Sequence, residues 1–247
     1  ISNGLFNGAT SLETVYLTDH IKKIGMSAYS GCSKLKYFRY GEENDQSKTL
    51  RLPDELEYVG QSAFYGCSSA AFGDLVFPES ISYIGHQAFD SCDNISSIKI
   101  NGNSTEIVSF AFHKCLNLTE AEIGNNVKNI GSSILADCNS LEKITLPRLD
   151  ALYNNEVGSL FANSTPFDYS KIYEGSMDYY GIPLTLTSIT VSEGTEIPDN
   201  AFSNLKSLKE KLIKDKEYNI DLYLEKYKSV VKRFENIFIN KNSRNNK

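Results

Sequence analysis

The chain has 247 residues, 40% of them hydrophobic and 23% charged, which is close to the globular average and argues against wholesale disorder, a collagen-like repeat or a bundle of membrane helices. No run reaches the roughly 18 apolar residues that cross a bilayer, and the amino terminus has no charged stretch followed by an apolar core, so either the chain is not exported or its signal lies outside these residues. Residues 206–247 hold 12 of the 25 Lys and Arg but 6 of the 31 Asp and Glu, so the body is acidic, which argues against binding to nucleic acid.

The chain opens in the middle of a repeat. Leu5-Phe6 leads into Leu12, Val15 and Leu17 with a spacing that recurs later in the sequence, but residues 1–9 lack the strand that should precede them. We therefore expect the natural chain to extend further toward its amino terminus.

Five cysteines mark the phase of a repeat of about 23 residues, the spacing of the last three. An Ala-aromatic pair precedes four of them, as Ala88-Phe89 precedes Cys92, and an aliphatic residue often followed by glycine comes earlier, as in Ile84-Gly85. After each cysteine comes an alternating apolar pair, which predicts a short strand with these residues inward: Phe38/Tyr40, Leu75/Phe77, Ile98/Ile100, Ala121/Ile123 and Ile144/Leu146.

A period of 20–29 residues built on leucine and isoleucine is typical of a leucine-rich solenoid. One unit cannot bury its apolar face alone, so equivalent residues of successive coils stack into a continuous interior. The segment from Leu141 to Leu146 predicts one such strand, with neighbouring strands parallel and about 4.8 Å apart.

The cysteines at positions 32, 67, 92, 115 and 138 allow three interpretations. A row of small apolar side chains inside the coil explains all five as buried free thiols. An occasional disulfide between adjacent coils is the second possibility. A metal site is the third, although the number is odd and no Cys-x-x-Cys occurs.

Two insertions interrupt the period, at residues 41–52 and 148–185, and we expect both to leave the coil at one edge. After the second insertion, Leu186, Ile189 and Val191 predict a further strand. Beyond residue 208 the strand pattern fails, and apolar residues at spacings of three and four over 209–239 predict an amphipathic helix that caps the solenoid or packs on a partner. Residues 240–247 are expected to be a disordered tail.

Two segments, ISYIGHQAFDSCDNISSIKI and VKNIGSSILADCNSLEKITLP, closely resemble the BspA-like, Treponema-type leucine-rich repeats. The resemblance covers roughly residues 5–208, and we assign residues 1–208 to the repeat array. It implies an α/β solenoid, a right-handed leucine-rich repeat coil with short parallel strands on its concave face, completed by the helical cap. Members of this family are typically secreted or surface-attached, and several are adhesins for host matrix proteins or other cells.

The motifs of common enzymes are absent from the sequence, which contains no Gly-x-Ser-x-Gly, Walker loop or His-Glu-x-x-His. His20, His86 and His113 lie at different repeat phases, so we expect isolated histidines that form no pair. Glu120 and Glu122 share one strand face and are interpreted as solvated charge. The chain is therefore predicted to be no enzyme and to hold no metal or cofactor.

Candidate binding residues are the outward-facing positions of the concave strands, because such sheets present independent side chains on a rigid support. The predicted protein-binding residues are Tyr16, Tyr37, Arg39, Lys99, Glu120, Glu122 and Lys143. The two insertions are comparable candidates, and any solenoid must have some residue at these outward positions.

These features predict a non-enzymatic protein-binding module of a cell-surface or secreted protein, acting in adhesion or in interaction with host or other cells. Its partner would be a protein, with no nucleic acid and no membrane insertion of this segment. One alternative is a spacer within a larger surface protein, and another is an intracellular interaction scaffold.

Overall fold

The chain coils into a parallel-strand solenoid in which the same sequence phase returns once per coil. A computed structural model describes residues 1–18, 20–40, 50–161, 183, 185–192 and 201. Each full coil has three sides: a longer strand, a shorter strand and a turn side. The leucine-rich repeat architecture predicted from the 23-residue period is confirmed.

The first side of each coil carries the longer strands, which form two parallel sheets. A two-stranded sheet consists of β1 (Thr14–Leu17) and β3 (Tyr37–Tyr40). The other sheet has five strands in the order β12-β11-β9-β7-β5, with bounds β5 (Gly73–Val76), β7 (Ile95–Ile100), β9 (Glu120–Ile123), β11 (Lys143–Leu146) and β12 (Ser188–Val191). The apolar residues predicted to face inward are buried wherever their side chains are described, and β12 lies where the sequence predicts it.

The second side consists of shorter parallel strands that the sequence did not predict. Their bounds are β2 (Lys23–Ile24), β4 (Tyr58–Val59), β6 (Tyr83–Ile84), β8 (Thr105–Ile107) and β10 (Val127–Ile130). The last residue of each strand is buried, and in four of the five a glycine follows it. A Cβ built on Gly85 would lie 2.6 Å from the backbone nitrogen of Gln61 in the preceding coil. Glycine is therefore needed where neighbouring coils approach this closely.

The third side is built from turns. Two residues four positions apart adopt left-handed backbone in each coil, as Ser62 (φ 52°) and Gly66 (φ 70°) do. Over this five-residue stretch every second N–H group donates to the next coil. The Phe64 N–H, for example, donates to the carbonyl of Ala88 at 2.8 Å. Because left-handed residues interrupt an α-helix, the helical component expected of an α/β solenoid is not present on this side in the part of the chain that is described.

The interior contains a column of stacked rings. Phe6, Tyr29, Phe64, Phe89 and Phe112, one from each of five successive coils, stack with centroid separations of 5.1 to 5.4 Å and interplanar angles of 9° to 16°. Equivalent residues of successive coils therefore share one continuous core, as the repeat predicted.

The two insertions differ from expectation where they are described. Leu50 and Leu52 are buried, and the Leu50 N–H donates to the carbonyl of Ala71 at 2.7 Å. Residues 148–161 also stay on the coil, through three short 3-10 helices at Leu149–Ala151, Tyr153–Asn155 and Val157–Leu160. The Leu135 N–H donates to the carbonyl of Leu160 at 2.9 Å, which continues the turn-side ladder.

The described residues do not test the remaining expectations. Residues 41–49 and 162–182, which make up most of the two insertions, lie outside the described residues, as do the predicted cap at 209–239 and the tail at 240–247. The right-handed sense of the coil and the concave curvature of its longer-strand side stay predictions.

Candidate functional site

The outward side chains of the longer strands stand in two rows because neighbouring strands are parallel and in register. One row takes the first outward position of each strand: Thr14, Tyr37, Asp74, Ser97, Glu120, Lys143 and Ser188. The other takes the second outward position: Tyr16, Arg39, Val76, Lys99, Glu122, Thr145 and Thr190. We call these two rows the outward rows.

The amino-terminal part of the outward rows is aromatic and cationic. Tyr16 is 66% exposed and lies in register with Arg39 on the next strand. The Arg39 guanidinium carbon stands 4.7 Å from the centre of the Tyr37 ring. A guanidinium held over an aromatic face is both ordered and partly desolvated, which is the character of residues that anchor protein interfaces.

The middle of the outward rows is charged. Lys99 Nζ lies 2.8 Å from a carboxylate oxygen of Glu122, and both side chains remain 39% or more exposed. Glu120 and Lys143 stand in register on adjacent strands, also exposed. Exposed pairs of this kind contribute roughly 0.2–1 kcal/mol to stability, so this charge pattern is not explained by folding.

Neither of the two outward residues of β5 was among those predicted. Asp74 accepts hydrogen bonds from the hydroxyls of Ser97 at 2.7 Å and Ser96 at 2.9 Å, which lower the pKa of its carboxyl. Val76 is 57% exposed beside Lys99. Both could have been found, because they flank the inward residue Leu75 and so must point out.

The structure divides the seven predicted residues between the two longer-strand sheets. Tyr16, Tyr37 and Arg39 lie together on the two-stranded sheet. The charged residues lie together on the five-stranded sheet: Lys99, Glu120, Glu122 and Lys143.

All five cysteines are free and buried. Each thiol donates to a backbone carbonyl of the preceding coil, as Cys92 Sγ does to the Phe64 carbonyl at 3.1 Å. Burial raises the pKa of the Cys92 and Cys115 thiols well above the ordinary value. Since the thiolate is the reactive form, these side chains are structural. The sequence predicted their burial but not this hydrogen bond.

The histidines are less isolated than the sequence suggested. His20 Nδ1 lies 2.7 Å from Glu55, with both side chains exposed, and the His86 ring packs edge-on against Phe110. His113 is 14% exposed and lies between two aspartates of neighbouring coils. The expectation of an isolated side chain is therefore wrong for His113, because the sequence analysis compared the histidines only with one another and not with aspartates of the neighbouring coils.

Within the described parts of the chain no group of three or more His, Cys, Asp or Glu side chains is arranged to hold a metal ion. Over the same residues, no helix has the length and apolar character that crossing a membrane requires. What these residues do offer is the pair of outward rows, a surface of separate side chains with mixed chemistry.

Comparisons with known proteins find the same leucine-rich repeat architecture. A family model described as a BspA-type leucine-rich repeat region matches residues 1–48 and 42–167 in six copies. A search of curated proteins finds no match. The crystal structure of a T. pallidum leucine-rich repeat protein is similar with a TM-score of 0.50 at 21% identity, over 86% of this chain and 77% of that one. At this identity the likeness shows the fold alone.

Two further solved structures are similar at lower scores. A leucine-rich cell surface protein of Faecalibacterium prausnitzii A2-165 matches at a TM-score of 0.37 and 18% identity, over 87% of this chain and 63% of that one. The pneumococcal vaccine antigen PcpA matches at a TM-score of 0.39 and 18% identity, over 83% of this chain and 68% of that one.

Proposed function

The chain belongs to the BspA-type leucine-rich repeat family, and we propose that it works as a non-enzymatic protein-binding module. The contact surface in this proposal is the pair of outward rows. The observation that carries it is the contrast across one set of strands: the inward positions repeat aliphatic residues, whereas the outward positions change chemistry from coil to coil.

A rigid sheet with independently varied side chains suits recognition of a protein surface better than chemistry on a small molecule. The aromatic part contains Tyr16, Tyr37 and Arg39, residue types that dominate the binding energy of interfaces. The charged part, with Lys99 and Glu122, supplies the electrostatic complementarity that sets orientation and selects among partners. A partner spanning both parts would bury its apolar contacts at one end and match charges at the other.

We further propose that the protein is displayed at a cell surface or secreted, and that its partner is a host matrix protein or another cell. The support is the membership of the family, many of whose proteins are surface-attached, and this is an argument from analogy. The spacer and intracellular-scaffold alternatives make no use of the outward rows, so mutation of these rows distinguishes them from a binding module.

The test measures binding of the purified chain to a panel of host matrix proteins by surface plasmon resonance. We expect Arg39→Glu to weaken binding to the panel member it recognises by about tenfold or more, since a charged anchor reversed within an interface costs upward of 1.4 kcal/mol. A double exchange, Lys99→Glu with Glu122→Lys, keeps that ion pair but reverses its direction, and we expect it to weaken binding without changing stability.

The matched control is the exchange Lys22→Glu with Glu57→Lys. That pair is similarly spaced at 3.0 Å and similarly exposed, but it lies next to the shorter strands. Binding that is lost equally in the control exchange, or binding that survives both changes in the outward rows, would contradict the proposed surface. Failure to bind any member of the panel would favour the spacer.

A further inference from the structure

One side-chain cluster ties three successive coils together on the turn side. His113 Nδ1 lies 2.8 Å from a carboxylate oxygen of Asp90, one coil earlier, and His113 Nε2 lies 3.2 Å from a carboxylate oxygen of Asp137, one coil later. An ionised carboxylate can only accept hydrogen bonds. Both ring nitrogens must therefore donate, which requires the imidazolium form of His113.

The cluster is shielded from solvent. Asp90 is 3% exposed and also accepts hydrogen bonds from Gln87 Nε2 at 3.1 Å and from the Ser91 hydroxyl at 2.7 Å. A buried carboxylate with this many donors is held in one position, and its interaction with the ring is screened far less than that of an exposed pair. Asp137 is more open, with its side chain 28% exposed.

In the part of the chain that is described, the other titratable and charged groups around His113 are few. Lys114 follows it in the chain and is exposed, and His86 is separated from it by the Phe110 ring, which packs edge-on against both imidazoles. The nearby Cys92 thiol is buried and its pKa is raised, so it stays neutral. The two aspartates are therefore the negative charges in contact with the ring.

The middle coil departs from the repeat in two ways. Val108 stands where Gly60, Gly85 and Gly131 stand in other coils. Phe110 has φ of 63° at a position held elsewhere by serine, glutamine or glycine, and a bulky residue with positive φ is unusual and strained. The coil that departs from the repeat at these two positions is thus the one whose side chain reaches both neighbours.

We propose that Asp90, His113 and Asp137 form an ionic clamp that holds the irregular middle coil between its neighbours while the ring is protonated and that opens when the ring loses its proton. Burial by itself lowers the pKa of His113, but the hydrogen bonds and charges of Asp137 and Asp90 outweigh it and raise the pKa from 6.5 to about 9. A raised folded-state pKa means that the stabilisation is complete below about pH 6.5 and is lost as the pH rises through about 9.

The experiment uses the whole chain and measures two quantities by NMR. The first is the titration of the His113 ring, expected to have its midpoint near pH 9. The second is hydrogen exchange, corrected for intrinsic rate, at the Ser91 and Lys114 amides, which donate across the two coil junctions to the carbonyls of His113 and Ala136. We expect the opening of both amides to rise about tenfold or more between pH 7 and 10. The reference is the Gly31 amide, which has the same repeat phase in a coil nearer the amino terminus.

Three variants make the result decisive. His113→Gln should remove the pH dependence and leave both junctions as open at pH 7 as the wild type is at pH 10. Asp137→Asn keeps a residue that tolerates the left-handed backbone of this position, φ 61°, and should move the His113 midpoint toward 6.5 even if the glutamine variant folds poorly. His86→Gln, the control, should leave both measurements unchanged.

A His113 midpoint near its ordinary value would overturn the clamp. So would an equal rise in exchange at Lys114 with pH in the wild type and in His113→Gln, because the opening would then not depend on the ring.

Discussion

The two faces of the longer strands are formed by alternate residues of the same short segments and differ in almost everything else. Inward, one column reads Ile98, Ala121, Ile144 and Ile189, all buried and apolar. Outward, the neighbouring column reads Ser97, Glu120, Lys143 and Ser188, which mixes neutral, acidic and basic side chains. Stacking requires that each inward side chain fit the one above it, whereas nothing in the coil restricts the outward ones. The uniform inward column therefore reflects the architecture, and the varied outward column marks the surface that is left available for recognition.

The largest expected difference between the faces comes from truncating an aromatic side chain on each. Phe89 stacks on Phe64 and Phe112 and is completely buried, so Phe89→Ala should lower the free energy of unfolding by about 3–5 kcal/mol. Tyr16→Ala, at a 66% exposed position, should change it by about 0.5 kcal/mol or less. Urea denaturation of both variants measures this, and comparable losses would remove the distinction between the faces.

A smaller effect is expected from adding one methyl group between coils. In Gly85→Ala the new Cβ would lie 2.6 Å from backbone atoms of the preceding coil, and forced overpacking of this kind costs about 1–3 kcal/mol. Gly66→Ala is the matched control, since no heavy atom lies within 4 Å of its added Cβ and only the strain of its positive φ remains. Thermal unfolding should rank Gly85→Ala as the more damaging change, and the reverse order would show that backbone strain, not coil spacing, sets the requirement for glycine.

The smallest expected effect has the opposite sign. Tyr29 occupies a position of the ring column that three later coils fill with phenylalanine, and its buried hydroxyl has no hydrogen-bond partner among the residues that the structure describes. An unsatisfied buried polar group costs about 1–3 kcal/mol, so Tyr29→Phe should stabilise the fold by about 1 kcal/mol. A decrease in the urea midpoint would mean that the hydroxyl is satisfied in solution, for example by a bound water molecule.

Much of the interior could be predicted because stacking leaves a periodic signal in the sequence. The ladder of thiols, the inward pairs such as Ile144/Leu146 and the late strand at Ser188–Val191 were all predicted from position alone. The shorter strands were not, because a two-residue strand such as Tyr83–Ile84 is too short to show alternation. Their signal was the glycine that follows, which indicates close backbone approach.

The side-chain contacts between coils were harder to predict from the sequence than the coils themselves. Asp90 and His113 both lie two residues before their cysteines, so equal phase could have revealed their contact, but Asp137 lies one residue before its own and reaches the ring across a phase difference. Likewise, residues 148–161 contain neither a cysteine nor an Ala-aromatic pair, yet the Leu160 carbonyl takes its place in the ladder. Which surface residues bind a partner is not encoded in the period, because the period records only what stacking requires.

The backbone hydrogen bonds between coils, on all three sides, point along the axis of the solenoid. Tension applied between the two ends would therefore load the junctions in series, and the weakest would open first while the others held. Each coil released in this way would unfold about 23 residues, which span about 80 Å when fully extended. A protein of this design would lengthen in steps under shear flow, one coil at a time, while its remaining coils stay folded.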